Sequence, residues 1–244
     1  MKNLGYLIFC TLLGFAHLSA AKLTLPKQLN QKDRRSALEI MGPATGSRLL
    51  TSPYPLGGWS GFEVGLSRHY VPTSYLTELG DASVSQSDFE YPLLTLGKGL
   101  YYDLDLFLSI VPMAQTASIN HFSTQVRYQF WQSLNQLFRI SGLIYGGTTT
   151  LNNQLNMQTY GFDLVGTTTI DGVSLFIGLG TSFTDGRFIG GTKGITNSQA
   201  TETEKLTLAH QLIGIEWPID NFFWAAEVDR FKIPYYSLKI GYRM

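Results

Sequence analysis

The final ten residues of the chain, 235–244, alternate between two kinds of side chain over their whole length. The even positions are large and apolar, and the odd positions from 237 onward are Ser237, Lys239, Gly241 and Arg243. Successive side chains of an extended strand point to opposite faces, so this alternation places one face in an apolar medium and the other in a polar space. Such a strand belongs either to the edge of a soluble β-sheet or to the wall of a membrane barrel, and the rest of the chain decides between them.

The composition favours strands with two different faces. Charged residues make up only 15% of the sequence, against about 25% in a typical soluble domain, yet the mean hydropathy is just +0.02. Gly, Thr, Ser, Gln, Tyr and Phe replace the missing charges, as expected when each strand has one apolar and one neutral polar face. Lys and Arg together number 18, as do Asp and Glu, so no basic field exists that would recruit nucleic acid. A length of 244 residues predicts one domain with room for a short appendage.

The N-terminus predicts export. A lysine in the first three residues precedes an apolar run at 4–18, which is followed by the small residues Ser19, Ala20 and Ala21. This order is typical of a secretory signal peptide, which we place at 1–21. The only cysteine, Cys10, lies within it, so the exported chain would have no thiol for a disulfide. No later apolar run approaches the roughly 18 residues of a spanning helix, so a position in the membrane would require a closed barrel.

Residues 22–57 do not alternate, and we predict that they form a separate N-terminal segment with a short helix at about 31–41. Asn30 can cap that helix, Asp33 lies in its first turn, and Gly42-Pro43 ends it. The apolar stripe of the helix consists of Ala37, Leu38 and Met41. We expect a periplasmic lead-in packed under the barrel; the alternative is a plug that enters the lumen.

Residues 58–244 alternate repeatedly and predict a barrel domain of about ten strands. The clearest strand, near 100–110, has an apolar side chain at every even position, opposed by Asp103, Asp105 and Ser109. A helix would scatter those carboxylates among the leucines. The predicted strands lie near 59–71, 91–97, 100–110, 122–130, 138–144, 160–164, 173–182, 204–217, 222–231 and 235–244.

The predicted connections alternate in length. Four are short reversals, at 98–99, 131–136, 170–172 and 218–221. Four are longer links, at 72–90, 111–121, 146–156 and 183–203. Short turns at one end and long loops at the other are typical of outer-membrane barrels, in which the turns are periplasmic and the loops extracellular. The link near 232–234 is an exception, because it should be extracellular but is short.

Tryptophan positions support the same arrangement. All four tryptophans fall at strand ends on the side of the short turns: Trp59, Trp131, Trp217 and Trp224. An amphipathic indole prefers the headgroup level of a bilayer, where its ring is in oil and its N–H is wet. Together with Tyr242, these residues are predicted to form the periplasmic aromatic girdle of a barrel.

The alternating terminal strand, the turn lengths and the signal peptide resemble those of bacterial outer-membrane β-barrel proteins. Members of this class usually end on an aromatic residue, from which Met244 departs. The resemblance implies an all-β fold, a single antiparallel up-and-down transmembrane β-barrel of about ten strands, with about 8 to 12 left open. It also implies a location in the outer membrane of a Gram-negative bacterium. The implied partners are the lipid of that membrane and the outer-membrane assembly machinery, which would contact strand 235–244.

If the apolar faces contact lipid, the charged side chains of the opposite faces line the lumen. The predicted lumen residues are Glu63, Asp103, Asp105, Arg127, Arg139, Asp163, Glu227, Lys239 and Arg243. Opposite charges on neighbouring strands can pair, and a tight link near residue 233 would place Glu227 opposite Lys239. Arg127 and Arg139 are expected to face each other and could hold an anion unless neighbouring lumen aspartates neutralise them. A barrel of about ten strands is nearer the side-chain-filled type than the water-filled type, so an ion-paired, filled lumen is the first interpretation and a narrow channel the second.

Motifs of enzymes and cofactor sites are weak or absent, because the sequence has no G-x-S-x-G, P-loop, dinucleotide fingerprint or H-E-x-x-H. We therefore predict no cofactor and no metal site. The first functional hypothesis is a structural or surface-interaction role through loops 72–90 and 183–203, with an unidentified extracellular ligand. The alternatives are a porin-like pore for small solutes and an outer-rim hydrolase that uses His69 or His121.

Overall fold

The computed structural model of the chain describes residues 23–46, 48–51, 54–84, 88–112 and 119–244, so the predicted signal peptide lies outside the described residues. The strands are β1 Phe62–Pro72, β2 Asp88–Gly99, β3 Leu104–Ile110, β4 Ile119–Gln132, β5 Phe138–Leu151, β6 Leu155–Ile170, β7 Val173–Phe188, β8 Glu202–Ile219, β9 Phe222–Arg230 and β10 Pro234–Arg243. They form a closed barrel in the order β1-β10-β9-β8-β7-β6-β5-β4-β3-β2.

The terminal strand closes the barrel. β10 pairs with β1 in antiparallel register, from Arg243 opposite Glu63 to Tyr236 opposite Tyr70. Met244 extends this pairing, because its backbone exchanges hydrogen bonds of 2.8 and 3.0 Å with that of Phe62. The prediction of a single all-β, up-and-down barrel of about ten strands is therefore confirmed.

Large apolar side chains cover the outside of this barrel. Ile144 is 68% exposed, Ile177 63%, Leu179 61% and Leu238 53%, whereas the residues between them on the strands point inward. An apolar exterior that runs around the whole barrel is stable in lipid and would aggregate in water. The barrel is therefore of the transmembrane type, and the alternative of a soluble sheet is excluded.

Two connections differ from the prediction. The reversal expected at 98–99 lies at 100–103, because β2 runs on to Gly99 and the Leu100 N–H bonds the Leu104 carbonyl at 2.8 Å. The long link expected at 146–156 is only a turn at 152–154 between β5 and β6. Threonines at 148–150 fit a strand because they are β-branched, and Asn152 and Asn153 reverse the chain at φ of 50° and 55°. Asparagine tolerates this left-handed conformation better than most residues.

We call the end of the barrel with the short turns the inner end and the end with the longer loops the outer end. The outer loops lie at 73–87, 111–118 and 189–201, and residues 85–87 and 113–118 of them are outside the described ranges. The link between β9 and β10 is short, as predicted.

One side of the barrel extends beyond the other at the outer end. Strands β5 to β8 contain 14, 16, 16 and 18 residues, whereas β9 contains nine. β8 pairs with β7 from Glu202 to Glu216 but meets β9 only from Gln211 onward. β5 to β8 thus stand above the outer end of β9, and a helix packs against the barrel wall from inside.

That helix, α1, spans Gln31–Ala44, three residues beyond the predicted end. The Asn30 side chain caps it by accepting a hydrogen bond from the Asp33 N–H at 3.0 Å, and its predicted apolar residues Leu38 and Met41 are both 0% exposed. α1 contacts β6, β7 and β8 from the lumen side. Within the described ranges, no helix is both long and apolar enough to cross a membrane.

Candidate functional site: the plugged lumen

The N-terminal segment runs through the barrel. We call residues 23–46, 48–51 and 54–56 the plug. At the outer end, the Asn152 side chain donates to the Leu23 carbonyl at 2.6 Å, and the Leu29 N–H donates to the Ile195 carbonyl at 2.8 Å. At the inner end, the Leu56 N–H bonds Asp105 of β3 at 3.1 Å. The expectation of a lead-in packed beneath the barrel is thus wrong, because the apolar stripe of α1 finds its partner surface inside the lumen.

The start of the plug is tied to the outer loops. Besides the Leu29 bond, the Asp81 carboxylate accepts from the Lys27 N–H at 3.1 Å and from the Ser83 hydroxyl at 2.6 Å. Slight burial would raise the pKa of Asp81, but the hydrogen bonds from Ser83 and Lys27 lower it below its ordinary value. The carboxylate therefore remains charged, and this tie remains formed, at neutral pH.

The outer half of the lumen is an apolar socket for α1. Inward-facing residues of the wall join the buried face of the helix in one hydrophobic cluster, among them Phe89, Leu155, Met157 and Phe188. At the edges of this socket, Arg34 of α1 pairs with Glu204 of β8 at 3.0 Å, and Glu39 pairs with Lys232 at 2.5 Å. Burial of these apolar surfaces, each side chain contributing about 1.5–3 kcal/mol, stabilises the plug against the wall.

Side chains of β10, of β2 and of the plug itself bond carbonyls in the C-terminal part of α1. The last carbonyls of a helix lack partners within the helix, and here the Tyr235 hydroxyl donates to the Ile40 carbonyl at 2.9 Å. The Tyr91 hydroxyl donates to the Ala44 carbonyl, and Arg48 donates to the Pro43 carbonyl at 3.0 Å. A cation near the C-terminal end of a helix also interacts favourably with the helix dipole.

The two histidines considered for catalysis lie inside the lumen. His69 bonds the Ser67 and Ser237 hydroxyls at 2.8 and 2.9 Å. His121 bonds Thr149 and Ser123 at 2.7 and 3.0 Å. Both histidines are 2% exposed, so the expectation that they lie at an open outer rim is wrong. Their hydroxyl partners satisfy both ring nitrogens, as buried polar groups require.

A chain of buried polar groups anchors the middle of the plug. Arg48 pairs with Asp229 of β9, which also bonds His210 Nδ1 at 2.8 Å. His210 Nε2 bonds Asp163 at 2.9 Å, so one histidine joins two carboxylates. Next to this chain, the Glu227 carboxylate accepts from the Leu50 N–H at 2.7 Å. Two predicted lumen acids therefore help to hold the plug. Asp163 belongs to this chain of polar groups, and Glu227 bonds the plug directly.

Arg127 also holds the plug. Its guanidinium donates to Thr51 at 2.5 Å and to the Leu49 carbonyl at 2.6 Å, and it lies 3.7 Å from the centre of the Phe107 ring. In the strand register Arg127 is opposite Leu143 on β5 and opposite Asp105 on β3. The prediction that Arg127 and Arg139 face each other is wrong, because Arg139 lies opposite Gln132 near the inner end.

The strands that close the barrel share a second ionic cluster. Glu63 bonds Lys239 at 2.7 Å and Arg243 at 2.8 Å, and Arg243 also reaches Glu216 at 2.9 Å. Glu227 lies opposite Ser237 instead of Lys239, so the predicted Glu227–Lys239 pairing is wrong by two residues. A Cβ on Gly65 would lie 2.2 Å from Lys239 Cε, and glycine at this position makes room for the lysine.

At the inner end, Asp103 and Arg139 occupy different environments. Asp103 belongs to the exposed turn at 100–103 and not to a strand that lines the lumen, so its predicted lumen position is wrong. Arg139 faces inward, and its guanidinium lies 3.8 Å from the centre of the Tyr54 ring. The described residues contain no group of three or more His, Cys, Asp or Glu arranged to hold a metal ion.

The aromatic residues predicted for the membrane interface are all near the inner end. Trp217 lies opposite Trp224 next to the β8–β9 turn, Trp131 is near the end of β4, and Trp59 lies in the short 3-10 turn Gly58–Ser60 before β1. Tyr242 packs edge-on against Phe222 at 5.0 Å. Their role as a periplasmic girdle stays a prediction.

Three strand residues of the ionic clusters were not predicted from the sequence: His210, Glu216 and Asp229. Asp229 is an odd position of β9 and shares its face with the predicted Glu227, whereas His210 and Glu216 are inward even positions of β8, for which no lumen residue was predicted. On β8 the inward even positions mix Leu206, Leu208 and Leu212 with His210 and Glu216, so the sequence does not show a polar inward face there.

No protein-family model matches the sequence, and no curated protein matches it significantly. Among solved structures, the N-terminal β-barrel domain of Pseudomonas aeruginosa OprF is 14% identical and matches 77% of this chain and 99% of that chain, with a TM-score of 0.34. Yersinia pestis Ail is 13% identical over 75% of this chain and 97% of that chain, with a TM-score of 0.33. A match to OmpTdeltaL8, from Vibrio cholerae, is 13% identical and covers 64% of this chain but only 54% of that chain, with a TM-score of 0.32.

These similarities are too low to carry an argument about activity. The closed strand order, the apolar exterior and the ionic interior are properties of the chain itself. On those grounds, this chain has the fold and the membrane location of the outer-membrane β-barrel proteins.

Proposed function

We propose that this protein is an outer-membrane barrel kept closed by its own N-terminal plug, and that it acts through its outer end. The working surface would combine the loops near 72–90 and 183–203 with the start of the plug. One observation carries the proposal: the plug contacts the wall from the outer mouth, at Leu23, to the inner mouth, at Leu56. Occupation of the lumen over this length supports a barrel that is closed to solute.

The structural features give less support to the alternatives. A pore for small solutes would need a continuous water-filled path, whereas the inward face of the outer half is apolar and packed on α1. A rim hydrolase would need an accessible nucleophile and base, whereas Ser123 and His121 are 1% and 2% exposed. The surface-interaction hypothesis instead requires only exposed, structured loops, and it gains a second element in the start of the plug.

Closure is tested by conductance in a planar bilayer, with the refolded exported chain compared with a variant that lacks residues 22–57. We expect no conductance from the complete chain and discrete conductance steps from the truncated one, because truncation empties the lumen. Steady conductance of the complete chain would contradict the proposal. If neither protein conducts and the truncated barrel is shown to be folded, the plug is not what closes the lumen.

Labelling of cysteine variants in intact cells tests whether the start of the plug is part of the outer surface. Lys32 is exposed at the start of α1, and we expect a membrane-impermeant maleimide to label Lys32→Cys without permeabilisation. Leu134, fully exposed in an inner turn, supplies the control, since Leu134→Cys should react only after the outer membrane is opened. If Lys32→Cys also required permeabilisation, the plug would not reach the cell surface.

A further inference from the structure

The inner mouth of the barrel contains an open cavity of about 570 Å³. It lies between the inner turns and the last residues of the plug, and its lining includes Tyr54, Arg139, Thr169, Ser174, Glu216 and Arg243. The contacts that close the lumen do not use this space. A ligand arriving from the inner side could therefore reach it while the plug is in place.

Arg139 differs from the other arginines of the lumen. Arg48 and Arg243 pair with carboxylates, and Arg127 donates three hydrogen bonds. Within the described part of the chain, Arg139 has neither a hydrogen bond nor an ion pair. Its guanidinium instead stacks on the Tyr54 ring at 3.8 Å. Stacking fixes the plane of a guanidinium and leaves its N–H edge free to bind.

Two hydroxyl groups near Arg139 also lack hydrogen-bond partners among the described residues. The Tyr54 hydroxyl, the Thr167 hydroxyl and Arg139 Nε are all buried, and none has a hydrogen-bond partner among the described residues. Thr167 is 4% exposed and lies directly opposite Arg139 in the β5–β6 register. Buried polar groups are nearly always paired in native proteins. Three buried polar groups in this corner of the barrel thus lack a partner among the described residues and can donate to a ligand.

Two carboxylates line this cavity, those of Glu216 and Asp171, and neither forms an ion pair or hydrogen bond with Arg139. Both carboxylate oxygens of Glu216, which lines the same cavity, bond Arg243 at 2.9 and 3.1 Å. No carboxylate oxygen of a described residue lies within 4.0 Å of a guanidinium nitrogen of Arg139. An exposed guanidinium edge that is oriented by stacking matches two oxygens of a carboxylate or phosphate.

We propose that the inner-mouth cavity binds an oxyanion, a carboxylate or phosphate group, on the free edge of Arg139. The ligand would enter from the periplasmic side, and its remaining oxygens would face the Tyr54 hydroxyl, which lines the cavity. This site is separate from the outer surface proposed above, and its failure would leave that proposal unchanged.

The test is an NMR titration of the refolded, isotope-labelled protein, with the backbone amides of Thr169 and Ser174 as reporters. Sodium phosphate and sodium acetate are added separately, and sodium chloride keeps the ionic strength constant. We expect saturable shifts of these amides with at least one of the two anions. The anion that saturates at the lower concentration identifies the chemical source of the ligand.

Three variants give the titration its controls. Arg139→Gln should weaken the apparent affinity about tenfold or more, as expected when a charged hydrogen bond is lost. Arg139→Lys, which keeps the charge but not the planar fork, should lie between Arg139→Gln and the natural protein. Arg35→Gln removes an exposed arginine of α1 and should change nothing. Unsaturable shifts in the natural protein, or an unchanged affinity in Arg139→Gln, would overturn the proposal.

Discussion

Replacing Glu63 by glutamine should lower the free energy of unfolding of the barrel by about 3–5 kcal/mol, the cost of removing one partner of a buried ion pair. Glu63 is 0% exposed, and Lys239, its partner at 2.7 Å, is 1% exposed. The ammonium would be left in the wall without its counter-charge. Arg243 would lose less of its electrostatic stabilisation, because it keeps its ion pair with Glu216. Denaturant unfolding from lipid vesicles, followed by tryptophan fluorescence, measures the loss.

The matched control for Glu63→Gln is an ion pair exposed to solvent. Asp185 and Lys205 pair at 3.4 Å with side chains that are 42% and 77% exposed, so Asp185→Asn should cost no more than about 1 kcal/mol. The double variant Glu63→Gln with Lys239→Met removes the stranded cation and should recover most of the stability. An equal loss in Glu63→Gln and Asp185→Asn would show that the buried cluster does not stabilise the closure of the barrel.

The lumen thus has two ionic systems with different tasks. The cluster of Glu63, Lys239, Arg243 and Glu216 bridges strands β1, β10 and β8. The chain through Arg48, Asp229, His210 and Asp163 joins the plug to β9, β8 and β6. Breaking the first should weaken the barrel wall, whereas breaking the second should release the plug while the wall stays folded.

The outward faces of the strands could be predicted well from the sequence. Alternation of apolar and polar residues is a local property of each strand, and the lipid on the outside imposes it on all of them. The turn at 100–103 escaped prediction because Leu100 and Tyr102 extend the even apolar pattern beyond the strand. In residues 100–103 the alternation of apolar and polar residues continues, but the pairing between neighbouring strands does not.

The pairing of lumen charges could not be predicted, because it depends on strand register. A side-chain period of two means that a shift of two residues keeps the same face and changes the partner. The sequence therefore placed Glu227 and Lys239 correctly on the inward face, yet each of them bonds a different group. Local patterns determine the face, whereas turn geometry determines the partner.

The sequence does contain evidence for the position of the plug. That evidence lies in strand residues beyond the ends of the predicted strands, which were too short. Leu155 and Met157 of β6 and Phe89 of β2 face inward, but the predicted strands began at 160 and 91. A water-filled lumen would not contain a ring of apolar side chains at its outer end. Apolar inward positions next to a free amphipathic helix predict that the helix enters the barrel.

Replacing Arg48 by methionine should loosen the plug by about 3 kcal/mol, the lower limit for a broken buried pair, because Asp229 keeps its bond to His210. Methionine preserves most of the apolar stem, so the loss reflects the charge and the cap on the Pro43 carbonyl. About 3 kcal/mol corresponds to roughly a hundredfold larger population of the released plug. Amide hydrogen exchange of Leu50, whose N–H bonds Glu227 at 2.7 Å, should accelerate by that factor.

Two comparisons separate release of the plug from general destabilisation. In Arg48→Met, exchange of amides in the paired strands β6 and β7 should remain slow, since the wall does not depend on the plug for its backbone hydrogen bonds. Arg35→Met, an exposed change on α1 of the same plug, should leave the exchange of Leu50 unaltered. If Arg48→Met accelerated amide exchange equally in the barrel wall and in the plug, the two would unfold together. The plug could then not move as a separate unit. If Arg48→Met changed amide exchange in neither of them, the packing of α1 in its apolar socket would hold the plug without the arginine.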